Sequence, residues 1–226
     1  MITIHCTKKL WSKLPLDAHG RLPSQDDTMS SPERGKIAPQ LGDWHANLVT
    51  LQRRNCILLV HNATRFPVFI SCLTKPGFAS LQWQFEDVFM NTLLKLNANQ
   101  RQLDAAAAAI NSPLCFDSTT ERSLLGALNN LKANIEHVLY LEELLVPNLY
   151  PPAVSASLAQ RPCKANKQNA FVMPNEEMLS VLDKLAAAPK TAIQTHTENL
   201  AVAAGSTNAS ESNVVSFAAF KKGRSS

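Results

Sequence analysis

The chain has only seven glycines in 226 residues, and they are scattered, so neither a GxxxxGK[ST] loop nor a GxGxxG turn is present to cradle phosphates. Five cysteines, an odd number with no CxxC pair, argue against both a disulfide framework and a standard zinc site, and suit a reducing cytoplasm. No apolar run reaches the roughly 18–20 residues that cross a bilayer, and no signal-peptide core opens the chain. Charge of one sign is also scarce: 22 basic against 18 acidic residues leave a formal +4, too mild for a dedicated nucleic-acid surface. The small basic groups Lys8-Lys9 with Lys13, and Lys221-Lys222 with Arg224, read as solvated features. These absences predict a soluble cytoplasmic protein with no cofactor and no bound metal.

What is present is densest at 41–64, LGDWHANLVTLQRRNCILLVHNAT. Apolar Leu48, Val49 and Leu51 lead into the polar Gln52-Arg53-Arg54-Asn55 break, and Cys56 to Val60 follow as a short apolar run, which is a β-hairpin signature. Ahead of it, MITIHC alternates as a first strand and Thr7 can cap a short helix over 8–14 that Pro15 ends. Residues 16–40 lack apolar periodicity and are expected to form a long surface loop. After the hairpin, FPVFISCL reads as a further strand, placed at an edge because Pro67 has no N–H for a ladder.

Helical spacing then takes over. Leu81, Phe85, Val88, Phe89, Leu93 and Leu96 predict a helix over 79–97, and alanine-rich RQLDAAAAAIN predicts another over 101–111. Asp117 to Thr120 offer caps for a long helix over 120–145, with Leu124, Leu128, Leu131, Ile135 and Val138 as its stripe. The fold class is therefore α/β of the α+β type: a small mixed or antiparallel sheet of three to four strands covered by two to three helices, in one domain over 1–150. Past Pro151-Pro152 a flexible, largely disordered tail is expected over 151–226, interrupted by an amphipathic helix over 174–188.

Four segments in fixed order, IHCTKKLW, DWHANLVTLQRRNCILLVHNAT, FPVFI and ERSLLGALNNL, resemble an uncharacterised family of small bacterial proteins known only as a domain of unknown function. The resemblance covers roughly 1–150 and implies a single α/β domain, without implying an activity. The 16–40 loop and the segment past 150 look longer than that family's core requires.

Three chemistries compete for the polar residues. His5, His45 and His61 sit on or beside predicted strands, but strand histidines converge on a metal or catalytic centre only from one face, and no HxH or HExxH pair supports it. Cys6 or Cys56 could serve as a nucleophile, yet His5 and Cys6 are neighbours on a strand and so point to opposite faces. The remaining class is binding: Arg53 and Arg54 form forked bonds, Trp44 stacks, and His45, Asn47, Asn62, Thr64, Arg122 and Asn129 offer polar contacts. Each also has a plain structural role, Trp44 as a core anchor, Asn62 and Thr64 as turn closers. The set is rich in donors and poor in acid–base pairs. The expectation is a non-catalytic binding module that contacts a protein or nucleic acid through the hairpin, the alternative a small hydrolase or nuclease-like enzyme using His45.

Overall fold

The computed structural model describes residues 2–23, 41–164 and 171–187, all within one compact unit spanning 1–188. Its centre is a five-stranded mixed sheet in the order β4-β3-β2-β1-β5. The strands are β1 (Ile2–Cys6), β2 (Trp44–Leu51), β3 (Arg54–His61), β4 (Pro67–Ile70) and β5 (Leu114–Asp117). β2 and β3 form the predicted hairpin in continuous antiparallel register, from Trp44 opposite His61 to Leu51 opposite Arg54. β1 runs parallel to both β2 and β5, so His5 stands between His45 and Asp117.

Because side chains alternate along a strand, each face of this sheet buries its own set. On one face Ile2, Ile4, Trp44, Ala46, Leu48, Ile57, Leu59 and Val68 pack under α3 (Leu81–Lys95), whose Leu81, Phe85, Val88 and Phe89 are buried as their spacing predicted. On the other, Val49, Leu51, Leu58, Val60 and Phe69 meet Leu124, Leu128, Ile135 and Leu139 of α5 (Arg122–Leu141). Among the described residues α5 packs on the hairpin strands β2 and β3, and polar side chains collect on the β1/β5 part of the same face.

Both sheet edges are closed. β4 is an edge strand, as Pro67 indicated, and the Phe69 N–H that would face outward donates to Ser155 Oγ at 2.9 Å. Ser155 belongs to α6 (Pro151–Ala159), and the pair Pro151-Pro152 opens this helix instead of ending the domain, since proline suits a helix's first turn. At the other edge the Phe116 N–H donates to Gly20 O, an approach so close that a Cβ at Gly20 would lie 2.4 Å from Phe116 O. Gly20, at φ +70°, turns a segment tied by Asp17, which accepts from the N–H groups of His19 and Arg21. The first part of the expected 16–40 loop is thus ordered cover for β5; 24–40 lie outside the described residues.

Four sequence expectations are amended. The sheet has five strands, with β5 unforeseen, and seven helices are present among the described residues, including short α1 (Lys8–Trp11) and α2 (Lys75–Ala79). α4 (Gln100–Ile110) starts at an Asn99/Gln102 capping box, and its alanines divide by face: Ala105, Ala106 and Ala109 are buried. The core also continues past 150, because Ala156 and Ala159 of α6 and Met178 and Leu182 of α7 (Pro174–Ala187) belong to it. Gln102 Nε2 donates to Asp183 Oδ2 at 3.0 Å, fixing α7 on the thin face of α4. A two-stranded ribbon, β6 (Cys163–Lys164) with β7 (Phe171–Val172), precedes α7. The expectation of disorder for 188–226 falls outside the described residues. No helix among the described residues is long and apolar enough to cross a membrane.

Candidate functional site

The hairpin carries functional groups at both ends, and α5 runs along it so that each helix end faces one of them. At the entry, Asp117, His5 and His45 form one row across β5, β1 and β2. His5 Nδ1 donates to Asp117 Oδ1 at 2.8 Å, and Thr119 Oγ1 reaches both, at 2.8 Å from His5 Nδ1 and 2.7 Å from Asp117 Oδ1. Partial burial works to raise the Asp117 pKa, but the bonds from Thr119 and His5 together outweigh it and hold the carboxyl below its ordinary range. His5 Nε2 lies 3.9 Å from Asp43 Oδ2, so a carboxylate flanks the ring on either side.

His45 packs on the His5 ring at 4.7 Å between centroids and is 5% exposed, yet its buried Nδ1 has no hydrogen-bond partner. Burial first, then the neighbouring His5, pushes its pKa below the ordinary imidazole value, so the ring is neutral. Beyond it lies Arg65, also 5% exposed and at φ +60° in the turn between β3 and β4. Arg65 Nη2 donates to Ser123 Oγ at 3.4 Å, and that hydroxyl donates to Glu121 Oε1 at 2.5 Å. Glu121 is the N-cap of α5 but makes no side-chain cap bond to the helix, which leaves its first-turn N–H groups without a side-chain acceptor. Burial lowers the Arg65 pKa and Glu121 opposes the effect.

The far end is different in kind. The hairpin closes through Gln52 (φ +44°) and Arg53 (φ +64°), a pair of left-handed residues that fits a type I′ turn, where Asn-Gly is the favoured sequence. Gln52 holds the turn in place: its Nε2 donates to Leu144 O and its Oε1 accepts from the Val146 N–H, both at 2.9 Å. Arg53 and Arg54 are exposed. Beside them lies an open groove lined by Gln52, Glu136, Tyr140, Leu141, Glu143 and Leu145, in which Tyr140 is 81% and Leu141 63% exposed.

The nine sequence-predicted site residues do not form one site. Trp44 is fully buried between Phe85 and Phe89, at 5.1 and 5.7 Å between ring centroids, and acts as the core anchor. Asn47 accepts a bond from Thr7 Oγ1; the Asn62 N–H donates to Asp43 O; Thr64 is buried against His61. Arg122 and Asn129 are exposed on α5, seven residues and so roughly 10 Å apart. His45 and Arg53 stand eight residues apart on the hairpin, roughly 25 Å. His61 faces the opposite side from His5 and His45, with its ring nitrogens bonded to Leu41 O and Thr64 Oγ1, so the three strand histidines do not converge. Burial pushes the Cys6 thiol up to about 12 and Cys56 to about 11, which leaves neither as a thiolate.

Sequence reasoning missed Asp117, Thr119, Glu121 and Ser123 at the entry, and Tyr140, Leu141 and Leu145 at the tip. Asp117 and Thr119 read as helix caps because the four residues of β5 carry too short a pattern. Among the described residues no group of three or more His, Cys, Asp or Glu side chains is arranged to hold a metal ion.

The chain belongs to the DUF6933 family, a domain of unknown function, whose sequence profile matches residues 3–177 and so runs through α6 into α7. No curated protein and no solved structure matches it.

Proposed function

We propose that this domain is a protein-binding module that works through the tip of its hairpin, where Arg53 and Arg54 flank the apolar groove at the end of α5. The observation that carries this is the exposure of Tyr140, Leu141 and Leu145, at 81%, 63% and 58%, directly beside a paired-arginine turn. Tyrosine and arginine are the residue types that dominate binding energy in protein interfaces, and aliphatic surface of this extent beside them is uncommon without a partner. The turn's geometry supports the same reading, because glycine would fill the left-handed position at 53 with less strain and an arginine stands there instead.

The partner this surface fits is a protein segment that presents apolar side chains together with carboxylates for Arg53 and Arg54. Nucleic acid fits less well, since Glu136 and Glu143 line the same groove and cancel the field a phosphate backbone requires. A hydrolase centred on His45 has less support than binding. A general base needs a second group to orient its ring, and His45 has no bonded partner to do so, while His5 stands between two carboxylates.

The test is affinity capture with full-length protein, followed by identification of the retained species and measurement of its affinity against variants. Arg53→Ala/Arg54→Ala and Tyr140→Ala should each weaken the partner at least tenfold, with Trp83→Ala, an exposed aromatic on α3, as an unaffected control. Equal loss in the control, or sensitivity to nuclease, would overturn the assignment.

A further inference from the structure

The groove at the hairpin tip carries charge of both signs, and the two signs sit on different elements. The turn supplies the positive charge, on exposed Arg53 and Arg54. The end of α5 supplies the negative: its C-cap Glu142 and the next residue, Glu143, are both exposed, and Glu143 lines the groove. Glu136, farther back on α5, is already held by Lys132 at 2.6 Å. Gln52 draws turn and helix end together through its bonds to Leu144 O and the Val146 N–H, yet among the described residues no ion pair joins either arginine to Glu142 or Glu143. Both signs are kept where stability disfavours them. The Leu144 N–H donates to Leu139 O at 3.1 Å, closing a helix end whose left-handed position glycine ordinarily takes, and Glu143 occupies that position at φ +51°. Carboxylates there also oppose the helix dipole, which favours cations at a C-terminus. Arg53 is the counterpart on the turn, at φ +64°.

From this arrangement we infer that the tip pairs with a second copy of this chain. The inference rests on the tip being the binding surface, and it names what covers that surface. In an isologous dimer, Arg53 and Arg54 of each copy meet Glu142 and Glu143 of the other, and Tyr140, Leu141 and Leu145 pack against their counterparts near the two-fold axis. The partner this groove requires offers carboxylates to the turn, cations to the helix end and apolar side chains beside them. A two-fold rotation supplies all three from one sequence, because an isologous patch must be complementary to itself. A partner of a single charge sign would satisfy one element and repel the other. Two cations against two carboxylates leave the patch neutral, so two copies approach without net repulsion. The exposed apolar set is small, which makes the dimer reversible, with a Kd on the order of 10–100 µM.

The experiment is sedimentation equilibrium of the full-length protein from about 1 to about 500 µM, a range that brackets the expected Kd. The mean mass should rise from that of one chain toward that of two. Arg53→Glu/Arg54→Glu and Glu142→Arg/Glu143→Arg should each self-associate at least tenfold more weakly, because each sets like charge against like. Mixing the two variants in equal amounts should restore a dimer with one chain of each kind, which also shows that both are folded. Trp83→Ala should dimerise as the wild type does. A wild type that stays monomeric across the range, a dimer that survives both reversals, or a mixture that stays monomeric would overturn the inference. A monomeric wild type overturns this inference alone when affinity capture returns a different protein that Arg53→Ala/Arg54→Ala loses. If capture returns none, the tip reading falls with it.

Discussion

The two ends of one hairpin differ in how they are anchored, and the difference separates what folds this domain from what it is free to do. The entry stands on the core: Trp44 fills it from one face of β2 while His45, the next residue, lies on the other with its buried Nδ1 unbonded. At the tip the core ends with Leu51, and the turn beyond it is tethered by the two hydrogen bonds of Gln52 and carries Arg53 and Arg54 in the open. Yet both ends contain a residue that stability alone would not choose. An apolar ring would serve better at 45, and glycine would serve better at 53, where φ is +64°. Positions of this kind are where function and stability pull apart.

The sharpest way to separate the ends is to truncate each. Trp44→Ala should cost about 3–5 kcal/mol, measured by urea denaturation, because it empties the ring cluster with Phe85 and Phe89. Arg53→Ala/Arg54→Ala should stay within about 0.5 kcal/mol of the wild type, since neither side chain is packed. A large loss from the arginine pair would mean that the tip is structural.

Acid probes the entry again, through His61, which seals the loop before β2 by bonding Leu41 O. Burial, against that carbonyl bond, pushes its pKa down to about 4 from 6.5. Above 6.5 the ring is neutral folded or unfolded and contributes no pH dependence. Between 6.5 and 4 only the unfolded chain takes the proton, so stability falls with pH across that window, by roughly 3 kcal/mol, and levels off below it. His45, also lowered, adds loss of the same sign, whereas Asp117 contributes only once pH falls below the usual carboxylate range. Denaturation midpoints at pH 7, 5.5 and 4 should show a slope that His61→Gln largely removes.

Smaller effects refine the picture. Ser155→Ala leaves the buried Phe69 N–H at the β4 edge unpaired and should cost about 1–3 kcal/mol, with faster amide exchange at Phe69. Arg53→Gly, by contrast, should stabilise the domain by about 0.5–1 kcal/mol on thermal melting, because it relieves the left-handed turn. If that variant is destabilised, the turn is not strained and the argument from its geometry fails.

Much of the scaffold was readable before the fold was known, for physical reasons that also mark where reading stopped. The hairpin, the edge placement of Pro67 and the buried stripe of α3 follow from local period and from a missing N–H, and all three are present. β5 was hidden because LCFD is four residues long, and its pairing with β1 joins positions 112 residues apart. α6 was hidden because Pro151-Pro152 resembles a stop as much as a start. The same limit applied to the candidate site. His45 was visible as a polar residue on a strand, but its neighbours His5, Arg65 and Asp117 come from three separate elements, and no spacing in the sequence brings them together.

The central claim is that His45 is held in the fold at a cost to stability. The urea-unfolding free energy of His45→Phe tests it most directly. The account predicts a gain of about 1–2 kcal/mol over the wild type, from replacing an imidazole whose buried Nδ1 makes no hydrogen bond with a ring that needs none. A loss of that size would contradict it, and would place His45 among the residues that hold the domain together.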